Sequence, residues 1–478
     1  MKKTLILETY PFEPHLEISG EIALDLKKNY NEKVYFGWLG SNLKWAEWHL
    51  PLYKKIFFSY NSRIEKFFKI LKTNQVEIID FDDTFPNEKK LIGWAKKFKG
   101  NIYDLKNYNF QGKNLGLGVA SSLISFVHES NPKLKNFKDI VEKSLYTSAK
   151  IYFLSKKIIN TYKPDKLVTF NGRFATSSAI AIAAKELDVK VIFHERGSSY
   201  DKYELFNDNL HNSDFRKKLI NIHWKKNSKN KKRIQIAKNF FYQSKNGKRI
   251  TFSGLKFKRN KISPILKIKK KEKIYTYFSS TSYEWDAILG YKKDCWKNEF
   301  EAISNLIKET KKRPDIKLII RLHPFNKLLK SHKDMQNIKK IAKDNKIMLF
   351  DEKSNIDSYK LMKKSYAIIT YGSTIGAEAV FQGKPSISMR NSFYSNNDTV
   401  YSAVNKKKLR NILNKKQLYK KNNKGVLPYA FYQMTFGKKF KYFKPLDYYS
   451  GYLCGERLSL LNPSMSNLVL QLKNFFKH

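Results

Sequence analysis

The chain has 478 residues, enough for two or three domains that each bury a core, so disorder is excluded as the default. Its 93 Lys and Arg against 42 Asp and Glu give a formal charge of +51, which suits polyanions without choosing among nucleic acid, anionic headgroups, acidic glycans and nucleotide phosphates. With only Cys295 and Cys454, and no run of about 18 apolar residues, a disulfide scaffold and a membrane-spanning helix are disfavoured and a reduced, cytoplasmic protein is expected.

The N-terminus begins like a secretory leader, but Glu8 cuts the apolar run before it reaches the roughly 7 residues an h-region needs. Thr4 to Leu7 therefore reads as a first strand. Ile18 to Leu26 has helical spacing, and strand-like runs follow at Val34 to Trp38 and Val76 to Phe81. A long helix is predicted over Phe137 to Tyr162, broken by Lys163-Pro164-Asp165, which launches a strand over Lys166 to Phe170. A helix over Ala175 to Leu187 and a strand over Lys190 to Phe193 come next. The basic stretch from Phe215 to Lys273, with Gly247 and Gly254 near its middle, is weakly periodic and reads as a partly helical connection.

After Lys273 the rhythm resumes: strand Ile274 to Phe278, helix Trp296 to Thr310, strands Lys317 to Leu322 and Ile347 to Phe350, helix Ile356 to Lys363, strand Tyr366 to Thr370, helix Thr374 to Phe381, strand Ser386 to Ser388. Strands alternating with helices predict parallel, doubly wound α/β sheets. Two such domains, 1–255 and 256–425, face a central cleft, and a helical or loop tail, 426–478, packs back on them. Open α/β sheets bind ligands at the carboxyl ends of their strands, and the distinctive residues fall there.

Arg321-Leu322-His323-Pro324 closes a strand. The Arg fork suits phosphate, the imidazole can donate a hydrogen bond, and Pro324 fixes the turn. Tyr371-Gly372-Ser373-Thr374 joins a strand to a helix start, where amides, the Ser373 and Thr374 hydroxyls and the dipole suit an anion. An ordinary helix cap carries the same residues. Glu378, one turn later, can accept from ribose hydroxyls, and Ser279 and Ser280 offer hydroxyls to phosphate or sugar.

In the first half, His194-Glu195-Arg196-Gly197 ends a strand, and alternation sets Glu195 opposite His194 and Arg196. Glu195 is placed to act as a general base on an acceptor hydroxyl, with His194 and Arg196 holding substrate. Asn171 and Arg173, at the neighbouring strand end, would orient a sugar, and His15, in the loop after the first strand, suits an acceptor glycan. No Cys-x-x-Cys, His-Glu-x-x-His, Gly-x-x-x-x-Gly-Lys-Ser/Thr or Gly-x-Ser-x-Gly occurs, so zinc enzymes, P-loop ATPases and elbow-type hydrolases drop out.

Across Lys166 to Ser388, the words Asn171-Gly172-Arg173, His194-Glu195-Arg196-Gly197, Arg321-Leu322-His323-Pro324 and Tyr371-Gly372-Ser373-Thr374 resemble the capsule polysaccharide biosynthesis and export glycosyltransferases, GT-B proteins that include bacterial Kdo transferases. Their order is also similar to that of GT-B sialyltransferases, with Arg196 as a departure because it separates the acid from Gly197. The resemblance implies two Rossmann-like domains in the GT-B arrangement, an acceptor side first and a nucleotide-sugar side second. It implies Glu195 as acid/base, Arg321 and His323 on the donor phosphate, and Ser373 and Thr374 completing that pocket. The stretch from Glu378 to Pro385 is similar to the ribose-binding helix of GT-B enzymes and UDP-sugar epimerases.

The resulting expectation is a metal-independent glycosyltransferase with no cofactor beyond its nucleotide-sugar donor, a CMP-sugar being favoured. Asp80-Phe81-Asp82-Asp83 is an acidic word, but it lies in the first domain. The expected partners are a surface polysaccharide or lipid-linked acceptor and the anionic inner-membrane surface, with no nucleic acid. The alternatives are a GT-B sugar-nucleotide epimerase and a noncatalytic polyanion-binding protein of capsule assembly or nucleic acid.

Overall fold

A computed structural model of the chain describes residues 1–48, 60–81, 88–208, 212–249, 262–266, 271–281, 283, 286–287, 295–329, 331, 333–395, 398–447 and 450–458. Gly254, Ser282, Asp82, Asp83, the expected boundary at 255 and the end of the tail lie outside the described residues.

The first half forms β1 (Lys3–Glu8), β2 (Lys33–Trp38) and β3 (Glu77–Ile78), a small separate hairpin of β4 (Asn109–Phe110) and β5 (Lys113–Asn114), then β6 (Lys166–Phe170), β7 (Lys190–Arg196) and β8 (Lys202–Phe206). Five of them run parallel in the order β3-β2-β1-β6-β7, and β8 turns back antiparallel on β7. β1 and β2 each bury all but their first residue, so helices must cover both faces of this sheet. The helix His15–Tyr30 covers one face and the long helix Lys138–Tyr162 the other; the latter stops where Lys163 turns left-handed before Pro164.

The second sheet holds β9 (Lys273–Phe278), β10 (Ile316–Arg321), β11 (Met348–Phe350), β12 (Ala367–Thr370), β13 (Ser386–Ser388) and β14 (Tyr401–Ser402). All six are parallel in the order β11-β10-β9-β12-β13-β14, the doubly wound arrangement. Strand order reverses between β1 and β6 in the first sheet and between β9 and β12 in the second. These are the two points where such sheets open a crevice. The fold is α/β with two Rossmann-like sheets, the GT-B architecture.

Two expectations change. The strand predicted over Val76 to Phe81 is only Glu77–Ile78, because it is an edge strand with one neighbour. The tail is not helix and loop alone. After the helix Leu427–Thr435, β15 (Lys438–Lys439) joins β8, and β16 (Phe443–Pro445), β17 (Gly451–Leu453) and β18 (Glu456–Arg457) form a small antiparallel sheet. Strands of two or three residues carry no readable periodicity. Their Phe443, Leu453 and Leu458 bury against Ile22 and Phe67, inside the core of the first domain. Among the described residues no helix is long and apolar enough to cross a membrane.

Arg63, on the helix Tyr60–Thr73, is fully buried and ties this corner together. Its Nε donates to Pro11 O at 2.8 Å, its Nη1 to Glu13 Oε1 at 2.9 Å and Leu458 O at 2.6 Å, and its Nη2 to Glu17. Removing a buried charge partner strands the other. Arg63→Met should therefore cost about 3–5 kcal/mol in urea unfolding; a loss below 1 kcal/mol would contradict the brace.

Candidate active site

At the carboxyl edge of the first sheet, β1 delivers Glu8, β6 delivers Asn171 and β7 delivers His194, Glu195 and Arg196. Glu195 is held from three sides. Its Oε2 accepts from Asn171 Nδ2 at 2.6 Å, its Oε1 accepts from the Arg196 amide at 3.0 Å, and His15 Nδ1 lies 3.6 Å away. The carboxylate keeps 22% of its side chain exposed, so it is both oriented and reachable. Asn171 can serve it because the residue adopts a left-handed φ of 55° and is followed by Gly172 at φ 74°, packed against the Phe193 ring.

His194 differs. It is completely buried, with Nε2 2.6 Å from Glu8 Oε1 and 3.1 Å from Ser19 Oγ. This corrects the expectation that it positions substrate, since no surface of it faces the cleft. The strand alternation is also softened, because His194 and Glu195 both meet the helix His15–Tyr30, at Ser19 and His15 one turn apart. The His15 ring lies tilted against Phe170, centroids 4.2 Å apart, and burial, then the charge of Arg196, pushes its pKa well down, so it stands neutral beside Glu195. Asn171 likewise orients the carboxylate and not a sugar. Arg196 Nη2 donates to Glu13 O at 3.1 Å, and Arg173 lies over the Phe174 ring at 4.3 Å.

At the second sheet's edge, Arg321 does not meet the expectation that it binds phosphate. It is 1% exposed, and its guanidinium donates to the carbonyls of Asp351 and Ser354, clamping the loop after β11. Ser279 and Ser280, expected to hold phosphate, are also buried and serve as braces. Ser279 Oγ accepts from the His323 amide at 2.8 Å, and Ser280 Oγ donates to Tyr371 O at 3.3 Å, so the pair joins the two neighbouring turns. Glu299 anchors the pair from behind, accepting from the Ser280 amide at 3.2 Å and from Tyr277 OH at 2.6 Å.

His323, Ser373 and Thr374 remain half-buried at this edge. His323 Nδ1 accepts from the Phe325 amide at 3.2 Å, which puts the ring proton on Nε2. Burial, then Arg321, lowers its pKa to about 4. It is thus a neutral N–H donor at physiological pH. The turn at Tyr371-Gly372-Ser373-Thr374 uses φ 84° at Gly372, and Tyr394 OH donates to Ser373 O at 2.7 Å across Gly376, where a Cβ would stand 2.3 Å from the Tyr394 hydroxyl oxygen. The following helix, Ile375–Phe381, is only seven residues long, so its dipole contributes less than the sequence suggests. Glu378 is buried with Oε2 accepting from Tyr359 OH at 2.6 Å and Oε1 3.7 Å from Arg249, so a ribose would have to compete with Tyr359 for it.

The two edges are joined twice. A seam links loops leaving β9 and β10 to the first domain: Lys106 Nζ donates to Asp286 O, Ser130 N to Asp334 Oδ2 at 2.9 Å, and Lys333 pairs with Glu129 at 3.2 Å. On the other side the helix Leu427–Thr435 spans from Tyr429, against the Thr374 side chain, to Phe436 O, which accepts from Ser198 N at 3.1 Å. At 1.5 Å per residue those two attachments are roughly 10 Å apart along the chain.

Sequence reading missed Glu47, Asp286 and Arg390. Glu47 accepts from Ser122 Oγ at 2.7 Å, and its pKa is raised chiefly by burial. Arg390 follows β13, lies 5.4 Å from the Tyr371 ring centroid and 3.7 Å from Asp286, whose pKa burial raises to about 6. The strand-end rule could have found Arg390; nothing local marks the other two.

The family model for UDP-N-acetylglucosamine 2-epimerase matches residues 281–424. No curated protein matches the chain. Among solved structures, the chain is similar to the β-Kdo 2,4-transferase of Thermosulfurimonas dismutans KpsC, at 10% identity and TM-score 0.35 over 56% of this chain and 79% of that one. It is similar to the β-Kdo 2,7-transferase of the same KpsC, at 13% identity and TM-score 0.34 over 68% and 95%. The UDP-bound MnaA of S. aureus gives 13% identity and TM-score 0.25 over 92% of each chain.

Two outcomes test the geometry. Arg321→Ala should lower urea stability by about 1–3 kcal/mol through stranded carbonyls while changing the Kd for CMP- and UDP-sugars less than about twofold; a tenfold rise in Kd would restore its phosphate role. Because His323 is neutral in the fold, the unfolded chain takes up its proton first. Its contribution to stability is therefore intact above pH 6.5 and is lost as pH falls toward 4. His323→Gln should flatten that acid limb in unfolding measured by tryptophan fluorescence; an unchanged slope contradicts the neutral assignment.

Proposed function

We propose that the chain is a nucleotide-sugar-dependent glycosyltransferase, moving a keto-acid sugar such as Kdo from a CMP donor onto a capsular or other surface polysaccharide or its lipid-linked primer. The observation that supports this reading best is Glu195, an oriented carboxylate reachable at one strand edge, joined through the helix Leu427–Thr435 to a turn of hydroxyls and a neutral imidazole.

In this reading the acceptor hydroxyl gives its proton to Glu195 as its oxygen bonds the anomeric carbon, and the bond from that carbon to the donor phosphate breaks. His15 and Asn171 keep the carboxylate aimed. His323 donates from Nε2 to the departing phosphate, with Ser373 and Thr374 beside it, and Arg390 supplies the positive charge that Arg321 cannot. Donors already fixed by the fold need no reorganisation when the charge develops, and no metal is required by this arrangement.

The family match over 281–424 favours a second reading, a UDP-sugar epimerase, which would need no acceptor. Incubation with CMP-, UDP- and GDP-sugars separates the two. Transfer requires an added glycan acceptor, whereas epimerisation interconverts free UDP-sugar without one. For transfer, Glu195→Gln should lower kcat by about 100-fold or more while leaving donor KM within a few-fold, the span general-base removal gives. A kcat within threefold of wild type would remove Glu195 from the chemistry.

A further inference from the structure

Residues 212–249 hold thirteen Lys and Arg against one acid, Asp214, about three times the net charge per residue of the whole chain. They fold as two helices, Ser213–Lys226 and Arg233–Lys245, joined by the short turn 227–232. The inner faces are fixed. Ile220, Ala237, Phe240 and Phe241 are buried, Phe241 stacks on Phe381 at 4.2 Å, and Arg216 lies under the rings of Phe206 and Tyr432 at 5.0 and 5.3 Å.

The tip is built otherwise. Lys225, Lys226, Lys229, Lys231 and Lys232 are all exposed, flanked by Ile222 and Ile234, which are 39% and 49% exposed. Arg233 is laid over the Trp224 ring at 4.1 Å and donates to Trp224 O at 2.9 Å, which holds the two helix ends together. A rigid hairpin thus presents five lysines between two bare isoleucines.

A dissolved polyanion rewards the lysines but leaves the isoleucines in water, and single-stranded nucleic acid calls for exposed aromatic platforms that this tip does not offer. An anionic bilayer rewards both, through attraction to headgroups and burial of side chains at the acyl boundary. We infer that the hairpin tip is a docking site for an anionic phospholipid surface. Because its base packs on the helix Ile375–Phe381, docking holds the Thr374 turn near the bilayer. The value of that placement for a lipid-linked acceptor rests on the proposed function; the docking does not.

The test is co-sedimentation of the full chain with vesicles of phosphatidylethanolamine and phosphatidylglycerol, beside phosphatidylcholine alone. Wild type should bind only the anionic vesicles, and less as salt rises. The triple variant Lys229→Glu, Lys231→Glu, Lys232→Glu should weaken binding at least tenfold, since each lysine near such a surface is worth about fivefold. The double variant Ile222→Ser, Ile234→Ser should weaken it several-fold and make the remainder more salt-sensitive. Circular dichroism and nucleotide-sugar binding should not change, because every substituted side chain is exposed. Equal binding by the triple variant, no binding by wild type, or RNA and heparin binding lost in the triple variant while vesicle binding ignores the isoleucines would each overturn the inference. The assay contains no sugar, so its failure is separate from a failure of the transferase reading.

Discussion

The helix Leu427–Thr435 is fastened at its two ends to different sheets: Tyr429 lies against Thr374 in the second domain, and Phe436 O accepts from Ser198 N just beyond β7 in the first. One short helix thereby ties the Thr374 turn to the edge that carries Glu195. The chain then continues into β15, which pairs with β8, and into the small sheet that Arg63 locks to the first domain. A segment late in sequence thus holds the two halves together by contacting both.

Charge at the site is more restrained than the chain's +51 suggests. The cation that sequence placed on phosphate, Arg321, is consumed by backbone carbonyls, and His323 is kept neutral by burial. At the second sheet's edge the half-buried His323, Ser373 and Thr374 are neutral dipoles, and the buried Arg390 is tempered by Asp286. Preorganised dipoles serve a departing phosphate without having to shed water first. The outer hairpin, by contrast, concentrates thirteen Lys and Arg against one acid, with its tip lysines exposed.

Much of this was legible in the sequence. β6 and β13 begin and end at the residues their apolar runs predict, and the words around Asn171, Glu195, His323 and Ser373 stand at strand ends because parallel sheets release their chains there. What periodicity could not give was direction. A strand-ending Arg looks the same whether it turns outward or, like Arg321, inward to carbonyls 30 and 33 residues away. Ser279, Ser280 and His194 read as ligand groups until their partners were placed. The tail strands, and the pairing of Arg63 with a carbonyl 395 residues away, depend on contacts that no local pattern encodes.

In the proposed transferase the sugar nucleotide's phosphate lies at the reversal point of the second sheet, opposite Glu195. A crystal structure of the protein with CMP or UDP tests it most directly. A phosphate oxygen should lie within hydrogen-bonding distance of His323 Nε2 and of Ser373 or Thr374, with Arg321 still on the Asp351 and Ser354 carbonyls. A nucleotide bound away from that turn, or held by a reoriented Arg321, would contradict it.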